Sequence, residues 1–133
     1  MVIHQSAEDY LETILILRER NGLVRSIDIV NALRFTKPSV SVAMKKLREN
    51  GYILTDRDGY ITLTEKGQAV ADRIYERHRV LTCVLTAIGV DEETAAADAC
   101  KIEHDLSDQT FAKIKEYIDK HRDVHNGDIP PLS

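Results

Sequence analysis

Cysteine is scarce in this 133-residue chain, and the two present, Cys83 and Cys100, cannot build a disulfide framework. With no leader in view, both are expected to be reduced thiols of a cytoplasmic protein. Long apolar runs are lacking as well: the longest, Ile14 to Leu17, falls far short of the ~18 residues a membrane span needs. There is no internal repeat and no low-complexity segment. A nucleophile motif and a loop-rich cleft are also missing, which counts against a metal hydrolase, because that chemistry needs an open coordination position and a general base in a pocket. What remains is a soluble chain with enough apolar surface for one domain, or for one small domain with a helical extension.

Positive charge is in the minority overall, with a net charge of −4. It is nevertheless concentrated. Residues 13 to 57 carry nine Lys/Arg against four Asp/Glu, whereas residues 1 to 12 and 58 to 133 are acidic. A basic segment set between acidic ones can be steered to phosphate, because the local field matters more than the total. The alternative reading of the same charges is a solvated helix face.

Ala7, Tyr10, Leu11, Ile14, Leu15 and Leu17 recur at helical spacing after Ser6, which suits an N-cap, and Asn21-Gly22 supplies a stop; a first helix is predicted over about residues 7 to 20. Ser26 is placed to cap a short helix with Ile27, Ile29, Val30 and Leu33. Pro38 then suits the first turn of another helix, which Gly51 closes. Two short helices joined by a tight turn form a helix-turn-helix candidate. The stretch "YILTDRDGYITLTEKG" places β-branched and aromatic residues on either side of Arg57-Asp58-Gly59, which predicts a hairpin, and a hairpin after a recognition helix is a wing. Thr64 can cap a long helix reaching Ile88. A further helix is expected through "DEETAAADACKIEHDL", and a last one after Ser107 through "DQTFAKIKEYIDKH". The fold class is therefore mainly α: an N-terminal winged helix-turn-helix over residues 1–63, a helical domain over 64–124 and a tail over 125–133.

In such a motif the second helix lies in the major groove, with its early residues at base edges and backbone. Here these are Lys37, Pro38, Ser39, Ser41 and Val42, with Lys45, Lys46 and Arg48 adding charge further along and Arg57 at the wing tip. Ser hydroxyls serve phosphates, and Val42 suits a thymine methyl. Double-stranded DNA is the expected partner; a winged helix used for protein contacts is the alternative.

Cys100, Glu103 and His104 fall in one narrow sector of a helix advancing ~100° per residue, while Ala95, Ala99, Ile102 and Leu106 occupy another that would face the core. Thiolate, carboxylate and imidazole together are donors for a borderline divalent transition metal, and three of them call for one or two more from elsewhere. The alternative is a polar helix face with an inert cysteine. Asp9 and Glu12, three apart on the first helix, could contribute, although Ser6-x-x-Asp9 also matches a capping box. His78 shares a face with Ile74, Leu81 and Leu85 and reads equally as a satisfied core histidine. His121 and His125 have i, i+4 spacing but no carboxylate company, and Cys83 reads as packing.

The succession of "EDYLETI", "KPSVSVAMKKLRENGYI", "LTEKG", "ERHRVL" and "ACKIEHDLS" resembles the DtxR/MntR family of metal-dependent transcriptional repressors over nearly the whole chain. The resemblance implies a homodimer, a helical dimerisation domain, and divalent iron or manganese as co-repressor. Carried over by position, it implies the metal ligands Asp9, Glu12, His78, Cys100, Glu103 and His104. The set is mixed: Asp9 with Glu12 resembles the manganese-sensing branch, in which a glutamate would replace Cys100, whereas Cys100 resembles the iron-sensing branch. Thr82 stands where iron-type members place an acidic ligand of a second site. Hard carboxylates suit Mn(II), and a thiolate favours Fe(II), with Co(II), Ni(II) and Zn(II) accepted in vitro. The competing expectation is a winged-helix regulator answering to a small organic ligand or to thiol oxidation at Cys100.

Overall fold

A computed structural model describes residues 5–122 of the chain. Six helices and one two-stranded sheet follow in the order α1 (Gln5–Asn21), α2 (Ser26–Leu33), α3 (Lys37–Glu49), β1 (Ile53–Thr55), β2 (Ile61–Leu63), α4 (Glu65–Ala87), α5 (Glu92–Ile102) and α6 (Asp108–Arg122). The chain divides into two compact units, Met1–Arg73 and Ile74–Ser133, with the boundary inside α4.

In the first unit α2 packs on α3, α1 on α2 and β2, and α3 on β1. Their shared core is Leu11, Ile14, Val24, Ile29, Val40, Met44, Leu47, Ile53 and Ile61. The mixture of i+3 and i+4 spacings in Val40, Met44 and Leu47 gives α3 one apolar stripe and leaves its other faces to solvent. Thr36 caps α3, its Oγ1 accepting from Ser39 N–H at 3.2 Å, and Pro38 sits in the first turn, where its missing donor costs nothing. The hairpin is antiparallel, with Ile53 opposite Leu63 and Thr55 opposite Ile61. Its turn is longer than the Arg57-Asp58-Gly59 reading implies. Asp56 organises it, with Oδ1 accepting from the N–H groups of Asp58 and Tyr60, and Gly59 takes φ +87°, a conformation side chains disfavour. Ile61 N–H also donates to Val24 O at 2.7 Å, tying the connection between α1 and α2 to the hairpin.

Two cap assignments are corrected. α1 begins at Gln5, so Ser6 lies inside its first turn; α2 begins at Ser26 itself, with Arg25 at the N-cap position and Asp28 accepting from Arg25 N–H at 2.9 Å. In both places the helix already includes the hydroxyl residue that local preference selects as its cap. Thr64 and Ser107 do cap their helices. Thr64 Oγ1 accepts from Gly67 N–H at 3.1 Å and donates to Gly51 O at 2.6 Å. Thr64→Ala removes both bonds and is expected to lower the unfolding free energy by about 1–2 kcal/mol in urea titrations, with Thr64→Ser close to wild type.

In the second unit Ile74, Val80, Leu81, Cys83, Ala95, Ala99 and Ile118 are buried. Cys83 is thus a packing residue. Asp91 caps α5 through Thr94 N–H at 2.9 Å, and hydrogen bonding to Thr94 holds its carboxyl below the usual carboxylate range. That cap is complete at neutral pH and weakens as pH falls through the lowered value. The main departure from the periodicity reading is the end of α5. It stops at Ile102 instead of running to Leu106; Glu103 is the C-cap, and His104 and Asp105 belong to a tight turn closed by Asp105 N–H to Ile102 O at 3.0 Å. Among the described residues no helix is long and apolar enough to cross a membrane.

Candidate metal centre and nucleic-acid interface

The outer face of α3 presents Lys37, Pro38, Ser39, Ser41, Val42, Lys45, Lys46 and Arg48, all exposed, and Arg57 is exposed on the hairpin turn. Val42 is the large apolar residue among them, 56 % exposed, which has no packing explanation within the helix. Ser39 accepts from the Thr36 hydroxyl at 2.8 Å, leaving its own O–H to donate outward. A helix with cations and hydroxyls on one side and a core stripe on the other suits a phosphate-lined groove.

In the second unit α4 brings His78 to the end of α5. Donor atoms of His78, Cys100 and Glu103 all lie within 4.8 Å of one another. Two ligands on one ion at bond lengths of ~2.0–2.3 Å stand at most about 4.6 Å apart, so this cluster is close to the size a single cation requires. Glu103 is its centre. Its side chain is 0 % exposed; Oε2 pairs with His78 Nδ1 at 2.9 Å, and Oε1 lies 3.4 Å from His104 Nε2 and accepts no hydrogen bond. A buried carboxylate oxygen without a donor is expensive, and a divalent cation would neutralise it. The residues therefore fit a metal.

Asp9 and Glu12 belong to α1 of the first unit, with Asp9 half-buried and Glu12 buried. His104 has left the helix, yet its side chain is only 2 % exposed and touches Glu103. Thr82 donates its hydroxyl to His78 O at 2.7 Å, tying down the main chain behind that histidine. His121 stacks on Tyr117 with ring centroids 3.9 Å apart; its companion His125 lies outside the described residues.

Two residues were not legible as participants. Arg77, buried on α4, donates to Glu103 O, Leu106 O and Asp108 Oδ1. Glu8, also buried, pairs with Arg73 at 2.8 Å inside the first unit. The usable signal was spacing: Ile74, Arg77 and Leu81 form one apolar stripe, as Glu8, Leu11 and Leu15 do, so each charge sits on a core face.

Residues 3–66 match the sequence model of the iron dependent repressor N-terminal DNA binding domain, and residues 64–131 that of the iron dependent repressor metal binding and dimerisation domain. An uncharacterized HTH-type transcriptional regulator of Methanocaldococcus jannaschii is 37% identical over 121 residues, covering 90% of this chain and 97% of that protein. The HTH-type transcriptional regulator MntR of Bacillus subtilis is 36% identical over 113 residues, covering 85% of this chain and 80% of its own. Among solved structures, the manganese regulator SloR superposes with a TM-score of 0.74 at 27% identity over 90% of this chain, and a manganese-dependent transcriptional repressor in complex with manganese with a TM-score of 0.78 at 27% identity over 85%. The chain spans about half the length of those two, 55% and 52%.

Proposed function

The chain belongs to the iron-dependent repressor family of metal-dependent transcriptional regulators, which are not enzymes, and from that premise we propose that it represses metal-homeostasis genes with Fe(II) or Mn(II) as co-repressor. The convergence of His78, Cys100 and the buried Glu103 carries this reading. We take Asp9, Glu12, His78, Cys100, Glu103 and His104 as the ligand set, residues 1–63 as the DNA-binding part, residues 64–124 as the metal-binding and dimerising part, and 125–133 as a tail.

Asp9, Glu12 and Glu103 carry like charge and oppose one another's approach when no cation is held. A bound divalent cation supplies the positive charge that reverses this. Asp9 and Glu12 then fix α1, and α1 packs on α2 inside the winged helix, so ordering one orders the other. In a cytoplasmic homodimer, two α3 helices held at fixed separation match half-sites about one helical turn apart on a two-fold operator. Lys37, Lys45, Lys46 and Arg57 would contact phosphates, and Ser39, Ser41 and Val42 the groove floor.

The test is fluorescence anisotropy on a duplex selected in vitro against the metal-loaded protein, titrated with Mn(II), with anaerobic Fe(II), with Zn(II) and with chelator alone. Tighter binding by a factor of about 10 or more with metal is expected, the coupling of ~1–3 kcal/mol usual between sites. Equal affinity with metal and with chelator rejects the reading; a response to peroxide instead of metal points to thiol oxidation at Cys100.

A further inference from the structure

We propose that Arg77 is a positioning residue for the metal centre: by holding the main chain of residues 103 to 108 it sets where the Glu103 carboxylate and the His104 imidazole stand. The inference rests on the metal-dependent reading above and extends it to a residue outside the ligand set.

α5 ends at Ile102 with no glycine or proline to stop it, and the last carbonyls of a helix need donors from elsewhere. Arg77 supplies one at the carbonyl of the cap residue, Glu103, and a second at Leu106 O just beyond it. Nη1 donates to Glu103 O at 3.1 Å and to Leu106 O at 2.6 Å, Nη2 donates to Asp108 Oδ1 at 2.5 Å, and the guanidinium lies 5.2 Å from the centre of the Phe111 ring. One planar fork thus joins the end of α5 to the start of α6, a geometry that a lysine's single ammonium cannot reproduce.

The next residue on α4 grips the same glutamate from its other end, His78 Nδ1 lying 2.9 Å from Glu103 Oε2. Arg77 holds the backbone oxygen and His78 the carboxylate, so the side chain of Glu103 is suspended between two consecutive residues of one helix. Stability alone does not account for the arginine. Its side chain is 3 % exposed and its Nε has no hydrogen-bond partner, so part of the desolvation cost is uncompensated, and an apolar residue of similar volume would serve packing as well or better. A group that orients a ligand from outside the coordination shell has a different value: losing it typically costs 10–100-fold in metal affinity.

The experiment measures Co(II) affinity of the full chain by competition with a chromogenic chelator and records the Co(II) d–d spectrum, which reports ligand geometry. Circular dichroism first establishes that each variant folds. Arg77→Met is expected to bind Co(II) about 10–100-fold more weakly with displaced d–d bands. Arg77→Lys should recover part of the affinity. Asp108→Asn, altering a side chain that is 86 % exposed, should weaken binding several-fold without disturbing the fold. Wild-type affinity and unshifted bands in a folded Arg77→Met overturn the inference while leaving metal dependence intact. Should Arg77→Met not fold, Arg77→Lys and Asp108→Asn decide: a loss in either supports the inference, and wild-type behaviour in both rejects it. Wild-type protein that fails to bind Co(II) at all removes the metal reading itself, and the inference with it.

Discussion

Glutamine in place of Glu103 is expected to abolish the metal response of DNA binding while leaving the metal-free protein as stable as wild type or more so. The two halves of this expectation share one cause. The Glu103 side chain is fully buried between two imidazoles, and its Oε1 accepts no hydrogen bond, so the negative charge is costly until a cation offsets it. Glutamine keeps the shape, removes the charge, and offers N–H donors where a cation requires an acceptor. Metal affinity should drop by more than the ~10–100-fold typical of residues behind the ligands. Calorimetric Mn(II) titration and metal-free thermal melts measure the two parts separately. A Glu103→Gln protein that binds Mn(II) like wild type would remove Glu103 from the site.

Gly67→Ala should be among the most damaging single-methyl additions in the first unit. A Cβ at residue 67 would lie 2.0 Å from Tyr52 O and 3.0 Å from Tyr52 C. The obstacle is main chain, and it is pinned: Tyr52 O accepts from Thr64 N–H at 3.1 Å while Tyr52 N–H donates to Leu47 O at 2.9 Å. Alanine gains ~1 kcal/mol of helix propensity over glycine. Overpacking costs about 1–3 kcal/mol or more, and backbone that cannot rotate away places this site at the upper end. The strain wins, with a net loss of about 2 kcal/mol. Urea unfolding monitored by circular dichroism checks it, and a variant as stable as wild type would contradict the packing of α4 on the hairpin.

Much of the scaffold was readable because its signals are local. Thr64 and Ser107 each stand directly ahead of a helix whose first turn offers an N–H, and Asp56 to Gly59 carry turn chemistry in four consecutive residues. The end of α5 was not readable, because the group that holds its cap carbonyl is Arg77, 26 residues upstream along the chain and visible only once α4 is folded beside it. The same distinction divides the candidate site. Cys100, Glu103 and His104 declare themselves by spacing, although the helical geometry assumed for His104 is that of a turn. His78 reads equally as core until its contact with Glu103 is seen, and periodicity puts Arg77 and Glu8 on core faces without identifying the partners that hold them there.

Three successive carbonyls at the exit of α3 are all claimed by the entrance of α4: Asn50 O by Lys66 Nζ at 3.1 Å, Gly51 O by Thr64 Oγ1 and Tyr52 O by Thr64 N–H. The β-hairpin is consequently a loop tied at its neck. Residues can be inserted or removed at its tip, between Asp56 and Tyr60, for the small entropy of a slightly longer closure. A single deletion at the neck would undo all three bonds together. The wing is therefore free to change in reach but not in where it is rooted.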